Sequence, residues 1–373
     1  MKIGIDARLY GPKVGGGGLG RYVEELITNL QQIDNKNRYV LFLKKDNLDA
    51  CKITNKNFTK VEADVHWYSM AEQLKMPKII DAAKCDLVHY PHWNIAMRAK
   101  TPFVVTIHDL IMLDEPTSAK ATTRGPLHFA AKRAGYKLVL SQAIKKSRHI
   151  IAVSNYTKSS ILKHFEIDPK KISVTLEGVV TPKSKPQATK SPYQGPYFLY
   201  VGNAYPHKNL EALLHAFALF HKLHPKVKLV LVGKQDVFWK WLEKEIDEIE
   251  VPRESVVFYG YASEEELDQL YEHATLYLFP SRHEGFGLPP LEAMARGVPV
   301  AASEATAIPE ILGDAAIYFK PDDLERMVEV MEQGLTDEKL RKNLKDKGQS
   351  RVKKYSWKTM AEETLKVYNQ FAK

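Results

Sequence analysis

The chain has 373 residues, more than one ordinary core accommodates, so two domains are expected; 44% hydrophobic and 27% charged residues exclude a disordered chain. Lys and Arg total 54 against 45 Asp and Glu, and the net charge of +9 points to an anionic partner: nucleic acid, a membrane surface or a phosphorylated small molecule. Cys51 and Cys85 are the only cysteines, which excludes a disulfide-built scaffold and a four-cysteine zinc site; an early carboxylate at Asp6 and no apolar run of about 18 residues predict neither a signal peptide nor a bilayer-spanning helix, hence a cytoplasmic protein.

Ile3–Ile5 reads as a first strand. The glycine run Gly15–Gly18, with Gly20, joins it to a helix predicted from Arg21 to about Gln32. Tyr39–Leu43, Leu87–His89, Phe103–Ile107 and His149–Val153 follow as strands. Their mostly unalternating apolar character suits a parallel sheet buried on both faces. Helical patterns fall at about Leu127–Lys145 and Tyr156–His164. Thr181 to Pro196 holds four prolines among Lys, Ser and Thr and reads as a linker.

The alternation then restarts with strands at Tyr197–Val201, Lys228–Val232, Val256–Tyr259, Leu276–Phe279, Val298–Ala301 and Ala316–Phe319. Ser356 is a good N-cap for a last helix through Phe371. The pattern predicts an α/β chain of two doubly wound parallel-sheet domains, 1–182 and 183–355, facing a cleft. Such sheets bind ligands at the carboxyl ends of their strands.

The most specific string follows the strand ending at Phe279: Pro280-Ser281-Arg282-His283-Glu284-Gly285-Phe286-Gly287-Leu288-Pro289-Pro290-Leu291-Glu292-Ala293-Met294-Ala295. Gly285 and Gly287 permit tight turns and close ligand approach. Pro289 or Pro290 suits a first helical position, and the unpaired N–H groups there, with Gly287 and Leu288, form an anion site. Glu284 and Glu292 cannot both ligate phosphate beside that site; they suit sugar hydroxyls. The plainer reading makes Glu284 a solvated loop residue and Glu292 a partner of the helix dipole.

The string from Glu284 to Val300 resembles the Glu-x7-Glu motif of the retaining glycosyltransferases of family 4, which have the GT-B fold, two Rossmann-like domains about a central cleft. The resemblance extends from the N-terminal glycine loop to the last helix. It implies a nucleotide-diphosphate-sugar donor held mainly by the second domain, with Glu284 on the donor sugar, Glu292 on the ribose, and the backbone at Phe286, Gly287 and Leu288 on sugar and diphosphate. Lys208, in Tyr205-Pro206-His207-Lys208-Asn209, matches the lysine that neutralises the diphosphate; His207 stands where the family often has arginine. Tyr261 falls in the loop that holds the base, and Gly18 and Gly20 in the loop that faces the donor phosphate, with Arg21 a weaker candidate. His108, closing Phe103–Ile107, matches a histidine near the donor sugar. The last helix, 356–373, is implied to return to the first domain.

His89 and His92, beside Trp93, lack a third well-spaced ligand for a metal and read better as the wall of an acceptor pocket. No Asp-x-Asp motif occurs, so neither a metal nor another cofactor is expected. The resemblance implies hexose transfer to an acceptor hydroxyl with retention of configuration, in polysaccharide or glycolipid synthesis. The alternatives are a sugar-nucleotide epimerase or other GT-B enzyme, or a non-catalytic nucleotide-binding module. The positive charge concentrates in 116–165, which holds ten Lys and Arg and no Asp or Glu. Nucleic acid is not expected, because no recognition motif accompanies it. The expectation is a sugar or lipid-linked acceptor, with this window resting peripherally on an anionic membrane face; a merely solvated helical face is the alternative.

Overall fold

The computed structural model describes residues 1–371 other than 12–13, 15–16, 116–125 and 181–189, and no side chains at 126–129. Parts of the predicted linker and of the basic window therefore lie outside the described residues. The chain divides into two compact units. One comprises Met1–Leu110, Arg124–Gly178 and Ser356–Lys373; the other comprises Ile111–Thr123 and Val179–Tyr355.

The first unit is built on seven strands: β1 (Lys2–Asp6), β2 (Arg38–Leu43), β3 (Phe58–Glu62), β4 (Leu87–Tyr90), β5 (Phe103–Ile107), β6 (His149–Ala152) and β7 (Ile172–Val174). Their order is β3-β2-β1-β4-β5-β6-β7, every neighbouring pair parallel. Helices α1 (Gly17–Ile33), α2 (Lys45–Leu48), α3 (Met70–Ala82), α4 (Ile111–Asp114), α5 (Pro126–Lys146) and α6 (Asn155–His164) follow in chain order, α4 counting with the second unit. On α1, Tyr22, Val23, Leu26, Ile27 and Leu30 are buried, a stripe at helical spacing that faces the sheet side.

The second unit has six strands: β8 (Tyr197–Val201), β9 (Lys228–Val232), β10 (Val256–Gly260), β11 (Leu276–Phe279), β12 (Val300–Ser303) and β13 (Ala316–Phe319). Their order is β10-β9-β8-β11-β12-β13, again all parallel. Its helices are α7 (Leu210–Leu223), α8 (Val237–Glu248), α9 (Glu264–His273), α10 (Leu288–Ala295), α11 (Ile308–Leu312), α12 (Leu324–Thr336) and α13 (Glu338–Val352). Tyr197, Phe198, Leu199 and Tyr200 of β8 are wholly buried, as a central parallel strand covered on both faces must be. In both sheets the chain order reverses beside the first strand, between β1 and β4 and between β8 and β11. That reversal point is where open α/β sheets bind ligands.

Helix α14 (Trp357–Asn369) completes the first unit. The Ser356 hydroxyl caps it, accepting from the Thr359 N–H at 3.3 Å. It packs on α1 and buries Trp357, Met360, Thr364, Val367 and Tyr368. The Tyr368 hydroxyl lies 2.6 Å from His89 Nδ1, His89 Nε2 lies 2.8 Å from Thr106 Oγ1, and that hydroxyl is 3.1 Å from the Tyr22 hydroxyl. Burial pushes the His89 imidazolium down to about 3, so the ring is neutral. His89 is therefore an enclosed core histidine and not a pocket wall, which corrects the reading from sequence. Tyr368→Phe should strand His89 Nδ1 and cost about 1–3 kcal/mol, read as a lowered denaturation midpoint with an unchanged slope.

Several boundaries differ from expectation for local reasons. α1 starts at Gly17 rather than Arg21, so the last glycines of the run are helical. β12 starts at Val300 rather than Val298, because Pro299 has no N–H for the ladder, although its carbonyl accepts from Tyr277 at 2.9 Å. The short, partly exposed edge strand β3, the three-residue β7 and α3, which carries Pro77 internally, gave little periodic signal.

Candidate active site

In the second unit, the loops leaving β8 and β11 emerge side by side. After β8 the chain makes a tight turn over Pro206–Lys208 and reaches Asn209 at φ 60°, a left-handed conformation that asparagine tolerates. The buried Asn209 amide donates to Pro280 O at 3.2 Å and Pro321 O at 2.7 Å, and the Arg282 N–H donates to His207 O at 2.7 Å. These bonds lock the two loops to each other.

The lock brings Lys208 Nζ to 2.5 Å from Glu284 Oε1, with side chains 14% and 13% exposed. Nζ also lies 5.9 Å from the centre of the Phe279 ring. The Glu284 backbone is fixed in turn: its N–H donates to Thr306 Oγ1 at 2.9 Å, and that hydroxyl donates to Glu284 O at 3.0 Å. Cation and carboxylate cancel in this site. His207 adds no charge, because burial, Lys208 and His283 push it down to about 2. Lys208 is thus the cation that the two loops present beside Glu284.

Helix α10 begins one residue past Gly287, whose φ of 104° favours glycine. The helix starts at Leu288, ahead of the expected prolines. A helix start leaves four N–H groups without intrahelical partners. Two of those positions are Pro289 and Pro290, which have none, so the available donors reduce to Gly287 and Leu288. Glu292 falls in the second turn, beyond the reach of the dipole of the first turn, so dipole compensation does not account for it. Phe286 is buried and meets the Tyr355 ring edge-on at 5.6 Å. Lys208, Glu284, Gly287 and Leu288 therefore share the loops at one reversal point, with Glu292 a turn further along α10. Tyr261 is 77% exposed, just beyond β10.

In the first unit, Gly18 is exposed in the first turn of α1, and Gly20 is buried with its carbonyl accepting from the Gly11 N–H at 3.1 Å. His108 follows β5; its Nδ1 lies 2.8 Å from Glu177 Oε1 and its Nε2 2.9 Å from Pro91 O. Sequence reading missed Glu177. It also missed a buried charged network at the end of β1. Arg8 pairs with Asp6 and with Glu72, each at 2.6 Å, and the Asn94 amide donates to Glu72 at 2.7 Å. Burial opposes the Arg8 charge, but Asp6 and Glu72 outweigh it and hold the guanidinium firmly protonated. Asp6, Arg8, Tyr68, His92 and Asn94 line one small cavity at this reversal point. The available signal was Asp6-Ala7-Arg8, charged residues set directly after a buried strand.

Residues 16–183 match the family described as Glycosyltransferase Family 4, and residues 183–351 match the one described as Glycosyl transferases group 1. The chain belongs to the GT-B glycosyltransferases. O-antigen chain mannosyltransferase B of Escherichia coli is 28% identical over 94% of this chain and 95% of its own. An MMP alpha-(1->4)-mannosyltransferase of Mycolicibacterium hassiacum is 29% identical over 72% of this chain and 65% of its own. Among solved structures, a sucrose-phosphate synthase from Thermosynechococcus elongatus superposes with a TM-score of 0.79 at 19% identity, covering 99% of this chain and 98% of that one. WaaG, a glycosyltransferase involved in lipopolysaccharide biosynthesis, gives 0.75 at 18% identity over 98% and 99%. These likenesses define the fold.

Proposed function

We propose that the protein transfers a hexose from a nucleotide-diphosphate-sugar to an acceptor hydroxyl, with retention of anomeric configuration, in the synthesis of a surface polysaccharide or glycolipid. Mannose is the first sugar to test, because relatives along the chain carry mannosyltransferase names. The observation that carries the reading is the Lys208–Glu284 pair beside the N–H groups of Gly287 and Leu288. In this reading the diphosphate takes Lys208 and those two donors, while sugar hydroxyls take Glu284. Binding then exchanges one ion pair for a set of charge-assisted hydrogen bonds. As the glycosidic bond breaks, negative charge grows on the leaving phosphate, and a preorganised cation with aimed N–H groups stabilises it. The leaving phosphate takes the acceptor's proton on the same face.

A thermal-shift panel of nucleotide sugars, followed by product analysis, tests this. The true donor at a hundredfold excess over its Kd should stabilise the protein by about 2.7 kcal/mol. Product NMR should show the donor's anomeric configuration in the new linkage. A sugar epimer formed from donor alone would instead favour the epimerase reading. Absence of both stabilisation and turnover across the panel would reject nucleotide-sugar chemistry altogether.

A further inference from the structure

The first unit contains a buried carboxylate–imidazole pair to which the reading above gives no distinct role. Three strand ends supply it: Pro91 follows β4, His108 follows β5, and Glu177 lies three residues beyond β7. His108 Nδ1 is 2.8 Å from Glu177 Oε1 and Nε2 is 2.9 Å from Pro91 O, with the His108 and Glu177 side chains 16% and 5% exposed. The ring is held on other sides too. Tyr22 of α1 meets it edge-on at 4.7 Å, and the Thr157 hydroxyl of α6 donates to His108 O at 3.0 Å.

A carbonyl oxygen and a carboxylate oxygen only accept hydrogen bonds. A ring that faces an acceptor at each nitrogen donates from both, and only the imidazolium does that. The surrounding charges agree. Among the described residues, Glu177 and Asp109 are the carboxylates that act on the ring, while burial keeps His89 and His92 neutral and Tyr22 a phenol. Burial alone would strip the second proton from His108, but Glu177, Pro91 O and Asp109 outweigh it, and the net shift is upward.

We propose that Glu177 is a positioning residue for the transfer reaction: it fixes His108 as an imidazolium that donates from both nitrogens and has no lone pair to accept a proton. The proposal rests on the nucleotide-sugar transferase reading, together with the resemblance that sets His108 near the donor sugar. It removes His108 as the base for the acceptor hydroxyl. Its role becomes that of a cationic donor: Nε2 releases Pro91 O and takes a sugar hydroxyl or a phosphate oxygen. The acceptor's proton goes to the departing phosphate.

Long-range proton–nitrogen spectra of the full chain labelled at histidine test this, with His108 assigned by its loss in His108→Gln. The wild type should show both His108 nitrogens protonated at about pH 7.5, where exposed histidines are neutral. In Glu177→Gln the titration should move down by about one pH unit or more. The alkaline limb of kcat should move with it, at little cost in KM, and Glu177→Asp should restore both towards wild type. A neutral His108 ring in the wild type at that pH, as when a protonated Glu177 donates to it, would overturn the proposal. So would an unmoved titration in folded Glu177→Gln, or a kcat limb that stays in place while the titration moves. Should Glu177→Gln fail to fold, the wild-type spectrum and Glu177→Asp decide. A panel in which no nucleotide sugar turns over condemns the transferase reading instead, and the ligand-free spectrum still judges the pair.

Discussion

Lys208→Ala is expected to lower kcat for transfer by about a hundred- to a thousandfold, some 3–4 kcal/mol of transition-state stabilisation, in a protein that still folds. The size follows from the site's charge balance. His207 is neutral, and two of the four possible donors at the start of α10 are prolines. Removing Lys208 leaves the departing diphosphate with the Gly287 and Leu288 N–H groups, since the other cation of these loops, Arg282, is paired with Asp322. Glu284, 2.5 Å from Nζ in the native site, would then repel the phosphate unopposed. Lys208→Arg keeps the charge but presents a planar fork where a point charge sits, so partial activity is expected. Lys208→Ala,Glu284→Gln removes both charges and should bind the nucleoside diphosphate better than Lys208→Ala, without recovering transfer. Steady-state kinetics with the donor found by thermal shift, alongside melting curves, measure all three. Wild-type turnover in Lys208→Ala would remove the lysine from the mechanism.

Gly178→Ala is expected to be the more damaging change to the fold. A Cβ at Gly178 would sit 2.2 Å from the Trp357 backbone nitrogen and 2.6 Å from its indole ring. A flexible side chain could swing aside, but here the nearest atom is backbone at the first residue of α14. Trp357 is itself buried against Tyr22, ring centres 6.3 Å apart. The helix must shift, and the shift reaches the Tyr368–His89–Thr106 chain at its far end. About 3 kcal/mol is the expected loss, at the upper end for overpacking. Denaturant unfolding checks it. The variant should also lose the His108 imidazolium signal, since Glu177 is the adjacent residue.

Both sheets were legible because their strands are short apolar runs separated by helical periods, and burial on both faces makes that contrast strong. β3 was not, because an edge strand reading Phe-Thr-Lys-Val-Glu has one apolar face at most. α3 was hidden by Pro77, a residue that normally ends a helix. At the candidate site, the spacing of Glu284 and Glu292 and the glycines between them stood out, since local sequence sets local backbone. The contacts that define the chemistry were not visible. Lys208 and Glu284 lie 76 residues apart, His108 and Glu177 69 apart, and Arg8 and Glu72 64 apart. The first two pairs meet because parallel strands deliver their carboxyl ends to the same edge, and Glu72 reaches Arg8 from the first turn of α3. Strand order, which no local pattern encodes, decides which side chains become neighbours.

The unit completed by α14 draws on Met1–Leu110, Arg124–Gly178 and then Ser356–Lys373, whereas the intervening unit is nearly contiguous. On the ribosome this inverts the usual order. Domains normally fold as they emerge, the earliest first. Here the sheet of the first unit waits for helix α14, made after the whole second unit, before His89 finds Tyr368 and Gly178 finds Trp357. The later unit has all its strands available sooner. The first unit therefore keeps the face of α1 that α14 covers open to solvent until the second unit has been made.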